Sequence, residues 1–185
     1  MPYQLYDQHN QIIQHHDLQD KGVWCRSGAS KEEVFVDLYG KQLDLIINPD
    51  KITNPYVPDL KNTQTGQLAD LKTQNTPFFQ AQSRFDYDPQ YTVVFNKKDK
   101  DRYRQKYPIL AIYFAIDWQA IRFEGRQRIS VSPMVGVWKI PFLELDVLLE
   151  QAPFHEYQQR TNDTKGNAKG SYVLDIRNPS FLKCV

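Results

Sequence analysis

A single apolar stretch near the middle of the chain limits the choice of fold more than any other feature. Residues 108–118 read Pro-Ile-Leu-Ala-Ile-Tyr-Phe-Ala-Ile-Asp-Trp and are nearly all apolar. A continuous apolar run of this length is typical of a strand that is covered on both faces, whereas a half-exposed strand alternates apolar and polar residues. The run is far shorter than the roughly 20 residues that a membrane-spanning helix needs. The chain is therefore expected to fold around a buried central strand and to have no membrane span.

The segments around this strand alternate between strand-like and helix-like patterns. Short β-branched or apolar segments bounded by turn residues predict strands, and longer segments with helical punctuation predict helices. This alternation predicts an α/β (α+β) fold in which helices flank a mixed β-sheet. The predicted strands cover residues 43–48, 91–96 and 172–176 with a strand pair in 122–138, and the predicted helices cover residues 97–107 and 141–151.

Composition favours one domain with no global preference for a polyanion. The chain has 185 residues, of which 41% are hydrophobic, and this suits a single core formed by residues 22–185. Residues 1–21 are polar and rich in glutamine, and they are expected to form a loosely ordered arm. The net charge of +1 means that any contact with nucleic acid must come from local clusters. Cys25 and Cys184 match neither a disulfide framework nor a zinc site, so we expect a reducing cytoplasm.

A hairpin brings two aspartates together. Residues 57–62 and 67–76 read as its strands, and the four-residue turn between them ends at Gly66, which tolerates a positive φ. A loop of this length sets Asp59 opposite Asp70. If the loop had three residues instead, the two carboxylates would diverge.

The same face of the hairpin also carries a lysine and a glutamine. Alternation along the second strand places Lys72 and Gln74 on the side of Asp70. Opposed carboxylates repel one another unless a cation joins them, and Mg²⁺ prefers oxygen ligands. Each residue alone has a structural explanation, since Asp59 can serve a turn and Lys72 can pair with an acid across the strands. Their joint placement favours a metal-dependent site.

A short helix precedes the hairpin. Ser30 and Glu33 fit a capping box, and Gly40 fits a C-terminal stop. The helical projection places Glu33 almost opposite the apolar side and Glu32 near its border. Glu32 is therefore better placed to reach a site beside the core, with an exposed helix carboxylate as the alternative.

The strongest basic cluster lies in the predicted helix at residues 97–107. This segment contains six basic residues and only two acidic ones, Asp99 and Asp101. Its basic side chains could therefore contact the phosphates of a nucleic acid. A solvated helix surface is the usual alternative. The basic residues are Lys97, Lys98, Lys100, Arg102, Arg104 and Lys106.

These motifs together resemble the PD-(D/E)xK nuclease superfamily, which includes restriction endonucleases and Holliday junction resolvases. The resemblance covers roughly residues 27–118 and rests on Glu32 with Gly28, on Pro58-Asp59, and on Asp70-Leu71-Lys72 with Gln74. Its specificity comes from the Pro-Asp pair one hairpin before the Asp-x-Lys motif. The second acid is Asp70 rather than the more frequent glutamate, which shortens its reach by one methylene. The resemblance implies a restriction endonuclease-like mixed sheet.

The resemblance also implies a metal site. Asp59, Asp70 and the backbone carbonyl of Leu71 would bind Mg²⁺, or Mn²⁺ in its place, and Glu32 would contribute directly or through water. Lys72 would orient or help deprotonate the attacking water and contact the phosphate.

The function that follows from the resemblance is a metal-dependent DNA endonuclease in restriction, repair, recombination or a mobile element. Gln74 would position Lys72 or touch the DNA backbone. Cutting both strands of a duplex needs two sites, which favours a homodimer. The alternative is a noncatalytic module that keeps the scaffold to bind nucleic acid or protein.

Overall fold

The computed structural model of the chain describes residues 3–13, 30–156 and 170–185. Within these ranges the strands are β1 (Gln4–Tyr6), β2 (Ile12–Ile13), β3 (Leu45–Ile47), β4 (Leu60–Asn62), β5 (Leu68–Gln74), β6 (Thr92–Asn96), β7 (Ala111–Asp117), β8 (Arg122–Glu124), β9 (Arg128–Ser130), β10 (Val135–Pro141), β11 (Phe154–His155), β12 (Ser171–Asp175) and β13 (Leu182–Lys183). The helices are α1 (Lys31–Phe35), α2 (Lys41–Leu43), α3 (Ala81–Phe85), α4 (Lys97–Lys106) and α5 (Phe142–Gln151). A π-helical turn at Val36–Gly40 joins α1 to α2, and 3-10 turns lie at Pro49–Ile52 and Pro89–Tyr91. No helix in the described ranges has the length and apolar character needed to cross a membrane.

The main sheet has the strand order β13-β10-β7-β5-β4-β3. Its neighbouring strands are antiparallel except for β5 and β7, which are parallel. Two smaller sheets, β2-β1-β8-β9 and β11-β12-β6, are wholly antiparallel. The predicted α/β (α+β) class with a mixed sheet is confirmed.

The central strand β7 is buried on both faces, as its apolar sequence predicts. Ile112, Phe114 and Ile116 belong to one apolar cluster of the core, and Ala111 and Tyr113 belong to another. Successive side chains of a strand point to opposite faces, so these two clusters lie on the two sides of the sheet. Because β7 pairs with both β5 and β10, its position is fixed by backbone hydrogen bonds as well as by packing.

The N-terminal segment 3–13 is part of the fold, so the predicted loose arm is wrong for these residues. β1 pairs with both β2 and β8. Leu5 is buried in a small apolar cluster, and the guanidinium carbon of Arg122 lies 3.9 Å from the ring centre of Tyr6. Apolar burial and this cation–π contact stabilise a segment whose polar composition alone predicts disorder. Residues 14–21 of the predicted arm lie outside the described residues.

The helix before the hairpin begins as predicted and ends later. The predicted capping box is confirmed, because the Glu33 N–H donates to Ser30 Oγ and the Ser30 N–H donates to the Glu33 carboxylate. The predicted stop at Gly40 is wrong, since the helical path continues until Asp44 adopts a left-handed conformation with a φ of 55°. Gly40 instead permits close packing, because a Cβ there would lie 2.7 Å from the Leu45 carbonyl oxygen.

Replacing Gly40 by alanine should therefore destabilise the protein, although alanine favours helices. The added methyl would press on backbone of the first strand of the main sheet and on Val36 Cγ1 at 2.9 Å. We expect a loss of about 1–3 kcal/mol in the free energy of unfolding, measured by urea denaturation. The control is Asp37→Ala, an exposed position on the same helical segment. Equal stability of Gly40→Ala and the wild type would contradict this account of the packing.

Candidate active site

The hairpin of β4 and β5 sets two carboxylates opposite each other. Leu60 pairs with Ala69, and this register continued by one residue pairs Asp59 with Asp70. The Gly66 N–H donates to the Asn62 carbonyl across the turn, and Gly66 has a φ of 72°. The predicted hairpin register and the role of Gly66 are confirmed. Asp59 lies one residue before β4, so its position depends on contacts outside the ladder.

A buried asparagine supplies those contacts. Asn48 is only 1% exposed and follows β3 directly. Its backbone N–H donates to the Asp59 carbonyl at 2.9 Å, and its Nδ2 donates to the Pro58 carbonyl at 3.0 Å. Its Oδ1 accepts a hydrogen bond from the Asp50 N–H and caps the 3-10 turn. Asn48 therefore fixes the Pro-Asp pair. The sequence pattern of Asn48 before a proline indicates only a turn.

The Asp59 carboxylate has two different partners. Its Oδ1 lies 2.5 Å from Lys51 Nζ, and its Oδ2 accepts a hydrogen bond from the Leu71 N–H at 3.2 Å. Burial raises the pKa of Asp59 to about 6, with a further increase from the negative charge of Asp70. The lysine opposes this shift without cancelling it. Both carboxylates carry a negative charge at neutral pH and repel each other, so a positive charge near them is favourable.

The pKa of Asp59 makes stability depend on pH in a specific direction. The unfolded carboxyl loses its proton near pH 3.8 and the native one near pH 6, so the native state binds more protons between these values. Stability contributed by Asp59 therefore falls as the pH rises from 4 to 6 and stays low above 6.

Replacing Asp59 by asparagine removes this pH dependence, because asparagine cannot ionise. Asp59→Asn should be more stable than the wild type at pH 7.5, by on the order of 2 kcal/mol, and equal to it near pH 4.

Urea denaturation at pH 4, 5, 6 and 7.5 measures this difference. The exposed variant Asp37→Asn serves as the control for a general loss of one negative charge. A stability difference between Asp59→Asn and the wild type that is the same at all four pH values would contradict the assignment of the pKa shift.

Asp70 is the most deeply buried acid of the site. It is 2% exposed, and Lys72 Nζ lies 2.6 Å from its Oδ2. The angles at this contact fall outside hydrogen-bonding geometry, so Oδ2 has an ion-pair partner but no hydrogen-bond donor among the described residues. A buried carboxylate oxygen without a donor is costly unless a cation binds it. The ammonium of Lys72 is thus the cation at the buried Oδ2 of Asp70.

The ammonium of Lys72 is held in place from the side opposite to Asp70. Its Nζ donates to Asp99 Oδ2 at 2.6 Å and lies 3.5 Å from Tyr103 Oη. Burial lowers the pKa of Lys72, but Asp70 and Asp99 raise it more, so the net shift is upward. Lys72 is therefore protonated at neutral pH. Asp99 and Tyr103, both on α4, position Lys72; the sequence placed Asp99 only within a basic cluster.

Gln74 makes a different set of contacts from those expected. Its Nε2 donates to the Val94 carbonyl at 3.1 Å and its Oε1 accepts from the Val94 N–H at 3.3 Å. The amide thus joins the end of β5 to β6 in a neighbouring sheet. Its role in catalysis stays a prediction.

Glu32 is the acid of the helix that reaches the site. Its Oε1 lies 2.9 Å from Lys51 Nζ, whereas Glu33 serves in the capping box. The ammonium of Lys51 therefore bridges Glu32 and Asp59. Burial raises the pKa of Glu32, but its hydrogen bond to Lys51 and other interactions outweigh this and leave a lower pKa. Nothing in the sequence around Lys51, in a connection between two predicted strands, indicates this contact.

Backbone geometry adds one more oxygen ligand. The Asn62 N–H donates to the Gln67 carbonyl, so Asn62 and Gln67 form a hydrogen-bonded pair of the ladder between β4 and β5. Hydrogen-bonded pairs recur at every second residue of an antiparallel ladder. The pair on the far side of Asp59 would therefore join Pro58 to Leu71. Proline has no N–H, and this strand therefore offers no donor to the Leu71 carbonyl. A proline at this place leaves that oxygen available, as the predicted metal site requires.

The oxygen ligands at this site are of the kind that a hard cation prefers, although the three acids do not already surround one point. In the described ranges no group of three or more histidine, cysteine, aspartate or glutamate residues lies close enough to hold a metal ion. Asp59 and Asp70 face each other, while Glu32 is joined to Asp59 through Lys51. The opposed carboxylates of Asp59 and Asp70 supply oxygen ligands of the kind that Mg²⁺ and Mn²⁺ prefer.

The predicted nucleic-acid contacts on α4 are largely engaged within the protein. Lys97 pairs with Asp101 on the exposed surface, and Lys100 is only 5% exposed, with its Nζ 3.0 Å from Glu150 Oε1. Arg102 pairs with Asp99, and Arg104 pairs with Asp146 and Glu150 on α5. Lys98 and Lys106 are exposed. Contact with nucleic acid through α4 stays a prediction, and among the described residues these two lysines make no ion pair.

Comparison with protein-family models, with curated proteins and with solved structures found no match to this chain.

Proposed function

We propose that the protein is a metal-dependent DNA endonuclease of the PD-(D/E)xK, restriction endonuclease-like kind. The observation that carries this proposal is the pairing of Asp59 with Asp70 across a hairpin, with the protonated Lys72 beside Asp70. Opposed carboxylates are unfavourable in a sheet unless a cation joins them. The order of elements gives further support, since α1, β3, β4, β5, α4 and β7 follow the arrangement on which the resemblance rests.

The residues divide the chemistry of phosphodiester hydrolysis between them. A Mg²⁺ or Mn²⁺ ion would neutralise charge on the phosphate and lower the pKa of a water molecule. Asp59, Asp70 and the Leu71 carbonyl would hold this ion, and Glu32 would complete the set directly or through water. Since its pKa is raised, Lys72 acts as a fixed positive charge that orients the water and stabilises the phosphate, and not as the base that takes the proton.

The substrate is DNA, and the expected product carries a 5′-phosphate. Two copies of the site are needed to cut both strands of a duplex, so a homodimer is the proposed cutting form. Lys98 and Lys106 are the candidates for contact with the DNA backbone.

Cleavage of supercoiled, linear and branched DNA in Mg²⁺ or Mn²⁺ tests this proposal. We expect nicked or linear products that disappear when EDTA is added. The same cleavage assay in Ca²⁺, a hard cation that also prefers oxygen ligands, compares cutting with a third divalent ion. The absence of cutting with either ion on every DNA form would overturn the proposal.

One observation favours the alternative function, a noncatalytic binding module. The ammonium of Lys51 already bridges Glu32 and Asp59, so part of their negative charge is offset without a metal ion. Such a module would bind DNA or a protein and cut nothing with any divalent ion. DNA binding that weakens with salt and with Lys98→Ala or Lys106→Ala, without cleavage, would favour this alternative.

A further inference from the structure

Lys51 occupies the place where two of the proposed metal-binding acids meet. Its Nζ is 2.9 Å from Glu32 Oε1 and 2.5 Å from Asp59 Oδ1. Glu32 lies on α1 and Asp59 at the start of β4, so the ammonium joins two separate elements. An ammonium and a divalent metal ion both use the lone pairs of carboxylate oxygens. The two cations therefore compete for the same oxygens.

The charges of the cluster match such an exchange. Glu32, Asp59 and Asp70 carry three negative charges, and Lys51 and Lys72 supply two positive ones. If Lys51 leaves, the remaining net charge of about −2 equals the charge that a divalent ion neutralises. The buried Oδ2 of Asp70 is already paired with Lys72, so the exchange concerns the oxygens of Glu32 and Asp59 that Lys51 holds.

The two lysines differ in how easily they can move. Lys51 lies on the surface turn Pro49–Ile52, next to Ile52, which is 89% exposed, and its flexible four-carbon stem can swing into solvent without a change in the backbone. Lys72 extends from an inner strand of the main sheet, and its Nζ lies 5.5 Å and 5.6 Å from the ring centres of Phe95 and Tyr103. Lys51 is therefore the ammonium that can leave.

We propose that Lys51 is a built-in competitor of the metal ion, which bridges Glu32 and Asp59 in the metal-free protein and sets the metal concentration at which the site is filled. This inference rests on the proposed function, because it concerns the same metal site. Metal binding then requires that the Lys51 ammonium leave both carboxylates. The protein without metal is kept stable by an ion-pair bridge, and its affinity for metal is lower than the acids alone would give.

Binding of Mn²⁺, followed by electron paramagnetic resonance of the free ion and by calorimetry, tests the inference without DNA. Lys51→Met removes the competing charge and keeps the length of the side chain, so we expect a Kd for Mn²⁺ at least about tenfold lower than in the wild type. Lys51→Arg keeps the charge and should bind Mn²⁺ like the wild type. Lys41→Met, at an exposed position on α2, is the matched control and should change nothing.

Thermal unfolding gives a second measurement on the same proteins. Metal-free Lys51→Met should unfold at a lower temperature than the wild type, since Glu32 and Asp59 lose their partner, and saturating Mn²⁺ should raise its Tm by more than it raises that of the wild type. If Lys51→Met does not fold without metal, Lys51→Gln replaces it with the same expected direction.

The outcomes separate this inference from the proposed function. An equal Kd for Mn²⁺ in the wild type and in Lys51→Met overturns the inference, and the endonuclease proposal then stands if the wild type still cuts DNA. A failure of both proteins to bind Mn²⁺ overturns the inference and the metal site together. Binding by Lys51→Met at Mn²⁺ concentrations that leave the wild type empty supports the inference most directly.

Discussion

Asp70→Asn is expected to abolish DNA cleavage while the fold remains intact. Asparagine keeps the shape of the side chain but has no negative charge to hold the metal ion. Its amide nitrogen or oxygen would take the place of the buried Oδ2 of Asp70, which accepts no hydrogen bond among the described residues. We expect the rate of cleavage in Mg²⁺ to fall by at least about a hundredfold, the scale seen when one group that stabilises a transition state is lost. Lys72 still pairs with Asp99 in this variant, so its buried ammonium keeps one acid partner.

A plasmid-nicking assay measures this loss, with circular dichroism and thermal unfolding as checks on the fold. Asp37→Asn, which removes an exposed acid from the segment after α1, is the matched control and should cut like the wild type. Cleavage by Asp70→Asn at the rate of the wild type would remove Asp70 from the mechanism.

Lys72→Met is expected to affect both activity and stability. The variant removes the positive charge beside the phosphate, which we expect to slow cleavage by about a hundredfold to a thousandfold. It also leaves Asp70 and Asp99 without their shared ammonium, and breaking such a buried ion pair should cost on the order of 3 kcal/mol. Urea denaturation and the nicking assay give the two values separately.

A second substitution distinguishes the two effects. Lys72→Met combined with Asp99→Asn removes one of the two acids that shared the ammonium and so lowers the negative charge around Asp70. Part of the stability should therefore return. Cleavage should not return, because the positive charge is still absent. Recovery of cleavage in the double variant would mean that Lys72 acts only through stability and has no part in the chemistry.

The parts of this structure that depend on local spacing were predictable from the sequence. The length of the apolar run identifies β7, and the four-residue turn with Gly66 fixes the register that opposes Asp59 and Asp70. The capping box at Ser30 follows from a three-residue spacing. Each of these depends on interactions between residues close in the chain, which periodicity and turn chemistry describe well.

The partners of the site residues could not be predicted in the same way. Lys51 reaches the hairpin from a surface turn, and Asp99 reaches it from a helix in the crossover between β5 and β7. No local pattern specifies which charged side chains fold onto a given face. The same reason explains Gly40, whose role is set by the approach of the next strand and not by the end of its own helix. The basic residues of α4 were predicted to contact phosphates, because the sequence does not show that the acids of α5 pack beside Lys100 and Arg104.

The parallel pairing of β5 with β7 has a consequence for how the site assembles during folding. The acids and Asn48 lie on elements that are neighbours in the chain, from α1 through the meander of β3, β4 and β5, so their contacts close short loops at low entropic cost. The parallel pair forms only after the long crossover through α4 has closed, and such non-local pairing is slow. Asp99 arrives with that crossover. The contacts among the carboxylates therefore close shorter loops than the contact between Asp99 and Lys72, which depends on the crossover.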